Sequence, residues 1–317
     1  MLQSFNSNDT YTDILSSVLA DNTRITYDQG WHLWQRYCNQ NNITVLPANH
    51  QDVARFLVET ATRPAANGKL PAWGTVMLWR SAINRKHVDQ NVASPTNHPQ
   101  VTDVCKGLAR LRGTRPRQVK ALREYHIKAM LGNCPDTLIG RRDAAIIVLG
   151  FAAALRRSEI CGLTVDDIEV IDDNERLRMF LHIRKSKTDQ NGVGQKIAVP
   201  AGKKLKPIKR LQDWLDAADI LSGPVFQTMS RGGKLRGSPM HHTDVPRIVK
   251  HYAASIGLDA SEIAGHSLRA GFVTSAAVHG ARIDKIMEVT RHRNPATVMK
   301  YIRDADSFTD HAGDGFL

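Results

Sequence analysis

The longest apolar run of the chain, Ala144 to Leu155, constrains the fold more than any other segment. Its sequence, AAIIVLGFAAAL, is apolar on all sides and predicts a helix that is buried all round, with Asp143 near its start. A membrane-spanning helix needs about 20 apolar residues, so this run is too short to cross a bilayer. We therefore expect a globular protein without a membrane partner, built around a central helix.

The chain has 317 residues, enough for two medium-sized domains. The strongest break in the first half is GTRPRQ, which carries Gly113 and Pro116. This break predicts an N-terminal domain over residues 1–113, a basic linker over 114–120 and a C-terminal domain over 121–317.

Helical spacing dominates the predicted N-terminal domain. Tyr27, Trp31, Trp34 and Cys38 recur on one helical face after a polar leader. Asn22 or Thr23 is available as the N-cap of this first helix, and Asn49 as the N-cap of a second. Two more helices are predicted over about 75–87 and 100–111. The tryptophans are interpreted as the core of a helical bundle rather than as a surface on which bases stack.

The second domain is predicted to be mixed. Arg176–Ile183 alternates as a strand does, and Gln195–Val199 pairs with it across a turn that contains Asn191-Gly192. Helical patterns then follow over 207–217, 243–255, 267–279, 283–290 and 295–303. The fold class expected is mainly α: an N-terminal helical bundle and an α-helical second domain with a small antiparallel β element.

The net charge of +12 and pI near 9.7 favour a polyanionic partner. Four widely spaced cysteines without a C-x-x-C motif suggest neither a zinc site nor a disulfide framework, and fit a reducing, cytoplasmic setting. The N-terminal residues lack the basic start and apolar core of a signal peptide. Basic residues cluster around the predicted linker, which is either a solvated hinge or part of a clamp around a duplex. Nine basic side chains are the expected contacts with a polyanion such as DNA: Arg80, Arg85, Lys86, Lys106, Arg110, Arg115, Arg117, Arg247 and Lys250.

The motif AGHSLRAGFVTS, residues 264–275, places two cationic side chains at a predicted helix start. Ser267 is the expected N-cap, which puts His266 at the entrance of the helix and Arg269 in its first turn. The unpaired N–H groups and the dipole at a helix N-terminus attract a phosphate, and these two side chains strengthen that attraction. Alone, the pair is weak evidence of a site, since a His-x-x-Arg pair on a surface is usually just solvated.

Three further segments carry candidate residues. The apolar run leads into LRRSEI, so Arg156 follows the core directly and is either paired with Glu159 or directed at a ligand. The strand over 176–183 leads into IRKSKTDQNG, which delivers Lys185 and Lys187 to a hairpin tip. The segment TRHRNPATVMKYIRD places His292 before a helix that starts at Asn294-Pro295 and carries Tyr301, a residue that could also belong to the core.

In this order, these motifs resemble those of the tyrosine recombinase, or phage integrase, family. The features are an arginine in L-R-x-S-E, a lysine on a β-hairpin, H-x-L-R, and a histidine followed nine residues later by a tyrosine in V-M-x-Y-I. The resemblance spans nearly the whole chain, and Gly265 to Ile302 is most similar to the Cre-like branch.

The resemblance implies a role for each matching residue. Tyr301 would attack a DNA phosphate, Arg156 and Arg269 would hold its non-bridging oxygens, and His292 would assist them. Lys187 would protonate the leaving 5′ oxygen, with Lys185 as the fallback. His266 would exchange the tyrosine proton, and Glu159 would orient the cations. Since fixed cations stabilise the developing charge, no metal or other cofactor is expected.

The resemblance also implies a site-specific recombinase in which four copies exchange strands between two inverted-repeat DNA sites through a Holliday junction. The two domains would form a C-shaped clamp on the duplex, and the protein would be associated with the nucleoid. The tail SFTDHAGDGFL departs from the family pattern, so docking between protomers would rest on Phe308, Phe316 and Leu317 or differ altogether. Three alternatives are a type IB topoisomerase, a non-catalytic DNA-binding regulator with the same fold, and an enzyme of phosphorylated metabolites.

Overall fold

A computed structural model describes residues 21–65, 68–114, 119–173, 176–184, 194–230 and 232–305. The chain divides into two compact units between Arg117 and Gln118. This division falls inside the 114–120 segment that the sequence marks as a linker. The DNA-binding and catalytic roles expected of the two domains stay predictions.

The N-terminal unit is helical throughout its described elements. It contains helices α1 (Asp21–Asn41), α2 (His50–Thr62), α3 (Trp73–Asp89) and α4 (Pro99–Arg112), with a 3-10 turn at Pro95–Asn97 before α4. Asn49 caps α2 as predicted, because its side chain accepts a hydrogen bond from the backbone N–H of Gln51 at 2.8 Å. Helix α1 begins at Asp21, so Asn22 and Thr23 lie inside it and neither is its N-cap.

Large aromatic side chains form the core of this unit. Trp34 and Phe56 are fully buried, and their rings meet edge to face with centroids 5.3 Å apart. Trp31 and Trp79 are partly buried against the same cluster. The interpretation of the tryptophans as core residues is confirmed. Burial of each such ring removes apolar surface from water and contributes about 2–3 kcal/mol to the free energy of unfolding.

The described part of the second unit contains eight further α-helices, a 3-10 turn at Val165–Asp167 and two small sheets. In chain order the helices are α5 (Glu124–Gly132), α6 (Leu138–Ala152), α7 (Arg157–Gly162), α8 (Pro207–Ala217), α9 (Asp244–Ser255), α10 (Ser267–Val278), α11 (Ile283–Thr290) and α12 (Pro295–Ala305). The strands are β1 (Ile168–Asp173), β2 (Arg176–Ile183), β3 (Gln195–Pro200), β4 (Gln227–Met229) and β5 (Leu235–Pro239). The mainly α fold class with small antiparallel sheets is confirmed. Helices α5 and α7 and strands β1, β4 and β5 are additions to the predicted elements.

The apolar run forms the central helix α6, but its bounds differ from the prediction. The helix begins at Leu138 and ends at Ala152, so Asp143 lies inside it and is buried. Ala154 then adopts a left-handed conformation, with φ of 46°, and reverses the chain. Arg156 consequently lies at the N-cap of the separate helix α7 rather than at the end of the central helix. Apolar periodicity alone does not mark this reversal, since all the residues involved are apolar.

The larger sheet has the antiparallel order β1-β2-β3. The predicted pairing of β2 with β3 is confirmed, with Leu181 opposite Ile197. Met179, Leu181 and Ile183 alternate along β2 and are buried, so one face of the sheet packs on the core. The turn with Asn191-Gly192 lies outside the described residues.

Candidate active site

The predicted site residues come from four elements of the second unit. Arg156 and Glu159 belong to the start of α7, and His266 and Arg269 to the start of α10. The last two segments are the loop after α11, which carries His292, and α12, which carries Tyr301. These positions are far apart in sequence, and the contacts below bring them to one region.

Tyr301 and His266 are in direct contact. The His266 Nε2 atom lies 2.8 Å from the Tyr301 hydroxyl oxygen. Tyr301 is partly buried against Val273, Ile286 and Val298, which hold the ring while the hydroxyl reaches His266. Tyr301 is therefore neither sealed in the core nor isolated on the surface.

His266 occupies the N-cap position of α10, one residue earlier than the predicted cap. Ser267 is the first helical residue, and its hydroxyl accepts a hydrogen bond from the N–H of Ala264 at 3.0 Å. Partial desolvation and the nearby charges of Arg269 and Arg156 lower the pKa of His266 from its ordinary value of 6.5. His266 is therefore neutral at pH 7, and a neutral imidazole nitrogen can accept a proton.

Arg269 is almost completely buried, with 1% of its surface exposed. Its guanidinium donates to the carbonyl oxygen of Ala154 at 2.8 Å and to the carbonyl oxygen of Thr290. Burial and the charges of Arg156 and Arg291 lower the pKa of Arg269 to about 9, so the side chain stays charged at neutral pH. Two backbone carbonyls thus fix the position of the Arg269 guanidinium. Because a carbonyl has no net charge, the positive charge of the side chain is retained.

Arg156 and Glu159 form the internal pair that the sequence offered as one alternative. Glu159 accepts from the Arg156 backbone N–H at 2.8 Å and from Nη1 of its guanidinium at 2.7 Å. The Glu159 side chain is 1% exposed, whereas that of Arg156 is 19% exposed. Arg156 is therefore oriented by a buried carboxylate while part of its guanidinium still reaches solvent.

His292 is held by a hydroxyl from the preceding helix. Its Nδ1 lies 2.9 Å from Oγ1 of Thr290, which donates its own proton to the carbonyl of Ile286 at 2.7 Å. Because the hydroxyl proton is already committed, Nδ1 is the donor in this contact. Desolvation and the charges of Arg269 and Arg156 lower the pKa of His292 to about 4, so it is neutral at pH 7.

Arg291 is a buried arginine of this region that the sequence reasoning missed. It is the C-cap of α11, and its Nη2 donates to Glu159 at 2.7 Å. In the sequence it is one of two arginines beside His292, and nothing in the local pattern separates it from its exposed neighbour Arg293.

The hairpin lysines Lys185 and Lys187 lie outside the described residues. Arg184, the last described residue before them, donates from Nε to Asp167 at 2.5 Å. Burial acts to raise the pKa of Asp167, but hydrogen bonds from Thr164 and Arg184 outweigh it and hold this pKa below its usual range. The residue that follows β2 is therefore attached to the 3-10 turn at Val165–Asp167, which precedes β1.

Together the described side chains form a cluster with an excess of positive charge. Arg156 and Arg291 both donate to Glu159, and the charges of these two arginines help to lower the pKa of the buried Arg269. Tyr301 belongs to the same group, since it partly opposes the lowering of the Arg269 pKa by burial and by the other arginines. Fixed cations of this kind stabilise negative charge that develops on phosphoryl oxygens, and the tyrosine hydroxyl beside a neutral histidine is a suitable nucleophile.

The predicted DNA-contacting residues occupy varied environments. Arg80 donates twice to the carbonyl of Thr96, at 3.1 and 2.7 Å, and so contributes to the bundle itself. Arg110 is exposed, and Lys250 is half-buried. Four others have carboxylate partners: Arg85 with Asp89, Lys86 with Asp28, Lys106 with Asp103, and Arg247 with Asp244. Arg115 and Arg117 lie outside the described residues, and the DNA contacts stay predictions.

Two features are absent from the part of the chain that the structure describes. There, no group of three or more histidine, cysteine, aspartate or glutamate side chains could hold a metal ion. No helix in the same residues is both long and apolar enough to span a bilayer.

Comparison with known proteins gives related sequences over most of the chain. Residues 120–307 match the phage integrase family. An integrase/recombinase XerD homolog of Selenomonas ruminantium is 32% identical over 305 residues, which are 94% of this chain and 86% of the relative. The recombinase Cre of Escherichia phage P1 is 24% identical, over 87% of this chain and 82% of the relative.

Solved structures give the same fold. The XerH site-specific recombinase bound to a palindromic difH substrate superposes with a TM-score of 0.60 and 14% identity, over 82% of this chain and 70% of that chain. A lambda integrase dimer bound to a COC′ core site superposes with a TM-score of 0.58 and 17% identity, over 93% of this chain and 94% of that chain. At these identities the likeness concerns the fold.

Proposed function

The chain belongs to the phage integrase family of tyrosine recombinases, and we propose that it cleaves and rejoins DNA strands through a covalent 3′-phosphotyrosyl intermediate on Tyr301. As a member of this family it is a site-specific recombinase. The proposal concerns its chemistry, its residues and its assembly on DNA.

One observation carries the proposal: the 2.8 Å contact between the Tyr301 hydroxyl and His266 Nε2, beside the charges of Arg156 and Arg269. A tyrosine hydroxyl has an ordinary pKa of about 10 and needs a base or a positive environment to become nucleophilic. A histidine kept neutral by its surroundings supplies the base, and the arginines supply the environment.

In the proposed step, the Tyr301 oxygen attacks the scissile phosphorus as His266 takes the hydroxyl proton. A bond forms between the tyrosyl oxygen and phosphorus, and the bond from phosphorus to the 5′ oxygen breaks. Arg156 and Arg269 bind the non-bridging oxygens, whose negative charge increases in the transition state. Lys187 gives a proton to the departing 5′ oxygen, with Lys185 as the alternative donor.

The remaining residues support this step. Glu159 orients Arg156 through its two hydrogen bonds, and His292 stands beside Arg269 as an additional ligand for a phosphate oxygen. The phosphotyrosine linkage retains the energy of the broken phosphodiester, so a 5′ hydroxyl reverses the reaction without a nucleotide or metal cofactor.

We further propose that the substrate is double-stranded DNA with inverted-repeat target sites. Four copies on two sites would exchange strands through a Holliday junction. Two superposing structures support this substrate class: the XerH site-specific recombinase bound to a palindromic difH substrate, and a lambda integrase dimer bound to a COC′ core site. The positive net charge of the chain is of the sign that a DNA partner requires.

The decisive test uses duplexes that are selected from random-sequence DNA by their binding to the protein. Each duplex carries a nick that traps the cleaved intermediate. Wild-type protein is expected to form an adduct that survives a denaturing gel, whereas Tyr301→Phe binds the same duplex and forms none. Tyr125→Phe, a change at a tyrosine that is 61% exposed, is the matched control and should retain the adduct. An undiminished adduct in Tyr301→Phe refutes the assignment.

A plasmid with two selected sites separates a recombinase from a topoisomerase of the same chemistry. Deletion or inversion between the sites is the expected result. Relaxation of supercoils that is independent of the sites would contradict the recombination proposal while leaving the Tyr301 chemistry intact.

A further inference from the structure

Arg291 is a buried cation that the proposed reaction does not use. It lies between α11 and the loop to α12 with φ of 57°, in the left-handed region that favours glycine. Its side chain is 3% exposed. An arginine at such a helix end is unfavourable, because its Cβ crowds the backbone and its charge is removed from water.

The hydrogen bonds of Arg291 satisfy only part of its guanidinium. Nη2 donates to Glu159 at 2.7 Å and to the carbonyl of Ala154 at 3.4 Å. Nε and Nη1 are buried and have no hydrogen-bond partner among the described residues. Strained backbone positions cluster at functional sites, and unpaired buried donors call for an explanation, so Arg291 is a candidate for a functional role.

Glu159 is the group that links Arg291 to the proposed reaction. Its Oε1 accepts from Nη1 of Arg156 at 2.7 Å. Its Oε2 accepts from the Arg156 backbone at 2.8 Å and from Arg291 at 2.7 Å. One buried carboxylate is thus shared between two arginines, one partly exposed and one enclosed.

The net charge of the buried group around Glu159 depends on Arg291. Arg156, Arg269 and Arg291 are positive and Glu159 is negative, which leaves an excess of two positive charges near Tyr301. Without Arg291, the carboxylate would be neutralised by Arg156 alone, and the excess would fall to one. The electrostatic effect of such a loss is large because Glu159, Arg269 and Arg291 are buried, where charges are weakly screened.

We propose that Arg291 is a positioning residue whose charge offsets that of Glu159, so that Glu159 orients Arg156 while the charge of Arg156 stays available to the scissile phosphate. The inference rests on the proposed function. Arg291 itself need not contact DNA, since it acts through the shared carboxylate.

The first test replaces Arg291 in two ways. Arg291→Met keeps most of the side-chain volume and removes the charge, whereas Arg291→Gly removes the charge and fits the left-handed backbone. Both are expected to slow formation of the covalent adduct by about 100-fold, the size of effect seen when one transition-state donor is lost. If Arg291→Met fails to fold, the glycine variant carries the test. Adduct formation at the wild-type rate by a folded variant overturns the inference.

The second test asks whether the effect is one of charge. Glu159→Gln in the Arg291→Met background restores the excess of two positive charges and keeps an amide oxygen for Arg156. The double variant is expected to form adduct about tenfold faster than Arg291→Met, since a restored charge recovers part of a transition-state interaction. A purely structural role predicts further loss, which would overturn the inference. Arg282→Met, which breaks the exposed pair with Asp284 at the other end of α11, is the matched control and should react as the wild type does.

A third readout does not depend on cleavage. Sulfate mimics the charge of a phosphate, and its binding raises the temperature of unfolding by mass action. The shift produced by sulfate is expected to be smaller in Arg291→Met and to recover in the double variant; equal shifts in all proteins overturn the inference. If the wild-type protein shows these shifts but never forms an adduct, the proposed reaction fails while the role of Arg291 in anion binding stands.

Discussion

The hydroxyl of Tyr301 and Nε2 of His266 are 2.8 Å apart, although the two residues belong to different helices and are separated by 35 positions in the chain. Helix α10 presents His266 from its N-cap, and α12 presents Tyr301 from its middle. The pair joins the proposed nucleophile and its proposed base in one hydrogen bond, and the first two of the four predictions below concern this pair and the charged side chains around it.

The pH dependence of cleavage tests the role of His266 as a base. Desolvation and the charges of Arg269 and Arg156 lower its pKa below 6.5, so it is neutral at pH 7 and becomes protonated only as the pH falls through this lowered value. We expect the rate of adduct formation to stay constant near neutrality and to decline below pH 6.5. His266→Ala should lower the neutral rate by about 100-fold or more and remove this acidic decline.

His279→Ala is the matched control, because His279 caps the other end of α10 and is exposed. It should leave both the rate and the pH profile unchanged. An acidic decline that persists unaltered in His266→Ala would show that another group is responsible.

Proton uptake tests the role of His292. Its Nδ1 donates to Thr290, so the neutral ring presents an unprotonated Nε2, and its pKa of about 4 keeps it in this form. A phosphate oxygen can accept a hydrogen bond from Nε2 only when the ring is protonated, and the negative ligand raises the pKa of His292. Binding of a selected duplex at pH 6 is therefore expected to take up a proton, measured by calorimetry in buffers that differ in ionisation enthalpy. In His292→Gln this uptake should fall; the same uptake in both proteins contradicts the prediction.

Salt dependence tests the DNA contacts expected of the N-terminal unit. Arg110 is exposed on α4 near the linker. If it contacts a phosphate, Arg110→Ala should weaken binding to all duplexes by a similar factor and reduce the slope of log affinity against log salt by about 1. Arg63→Ala, which removes an exposed arginine paired with Glu59, is the comparison. Equal slopes for the two variants would exclude Arg110 from the interface.

The stability of the second unit depends on a close backbone contact. A Cβ at Gly271 would clash with the carbonyl oxygen of Leu122, whose N–H donates to Ser267 at 3.0 Å. Gly271→Ala should therefore separate this segment from α10 and lower the free energy of unfolding by about 3 kcal/mol, measured with urea. Gly132→Ala, at a helical position where a Cβ meets nothing within 4 Å, should be neutral or stabilising. Similar values for the two variants would show that the contact is not maintained.

The local sequence determined several helix bounds, two helix caps and one strand pairing of this protein. Helix α8 and helix α11 have the bounds that periodicity predicts, and Asn49 and Asn294 cap helices because their side chains accept from N–H groups two residues on. The pairing of β2 with β3 follows from alternation. The helix bounds and caps depend on interactions within a few residues, and the strands on alternation along each of them, which is the range that a pattern in the sequence records.

Tertiary structure decided how the cations are arranged. Arg269 is enclosed because Ala154 and Thr290, which lie 115 and 21 residues away, turn their carbonyl oxygens toward its guanidinium. The sharing of Glu159 between Arg156 and Arg291 joins residues that are 132 positions apart and requires a left-handed residue at the end of α11. Sequence motifs identify which side chains are charged. Only the packing of α7, α10 and α11 fixes which charges are desolvated, which are paired and which stay available, because those properties depend on long-range distances and on water exclusion.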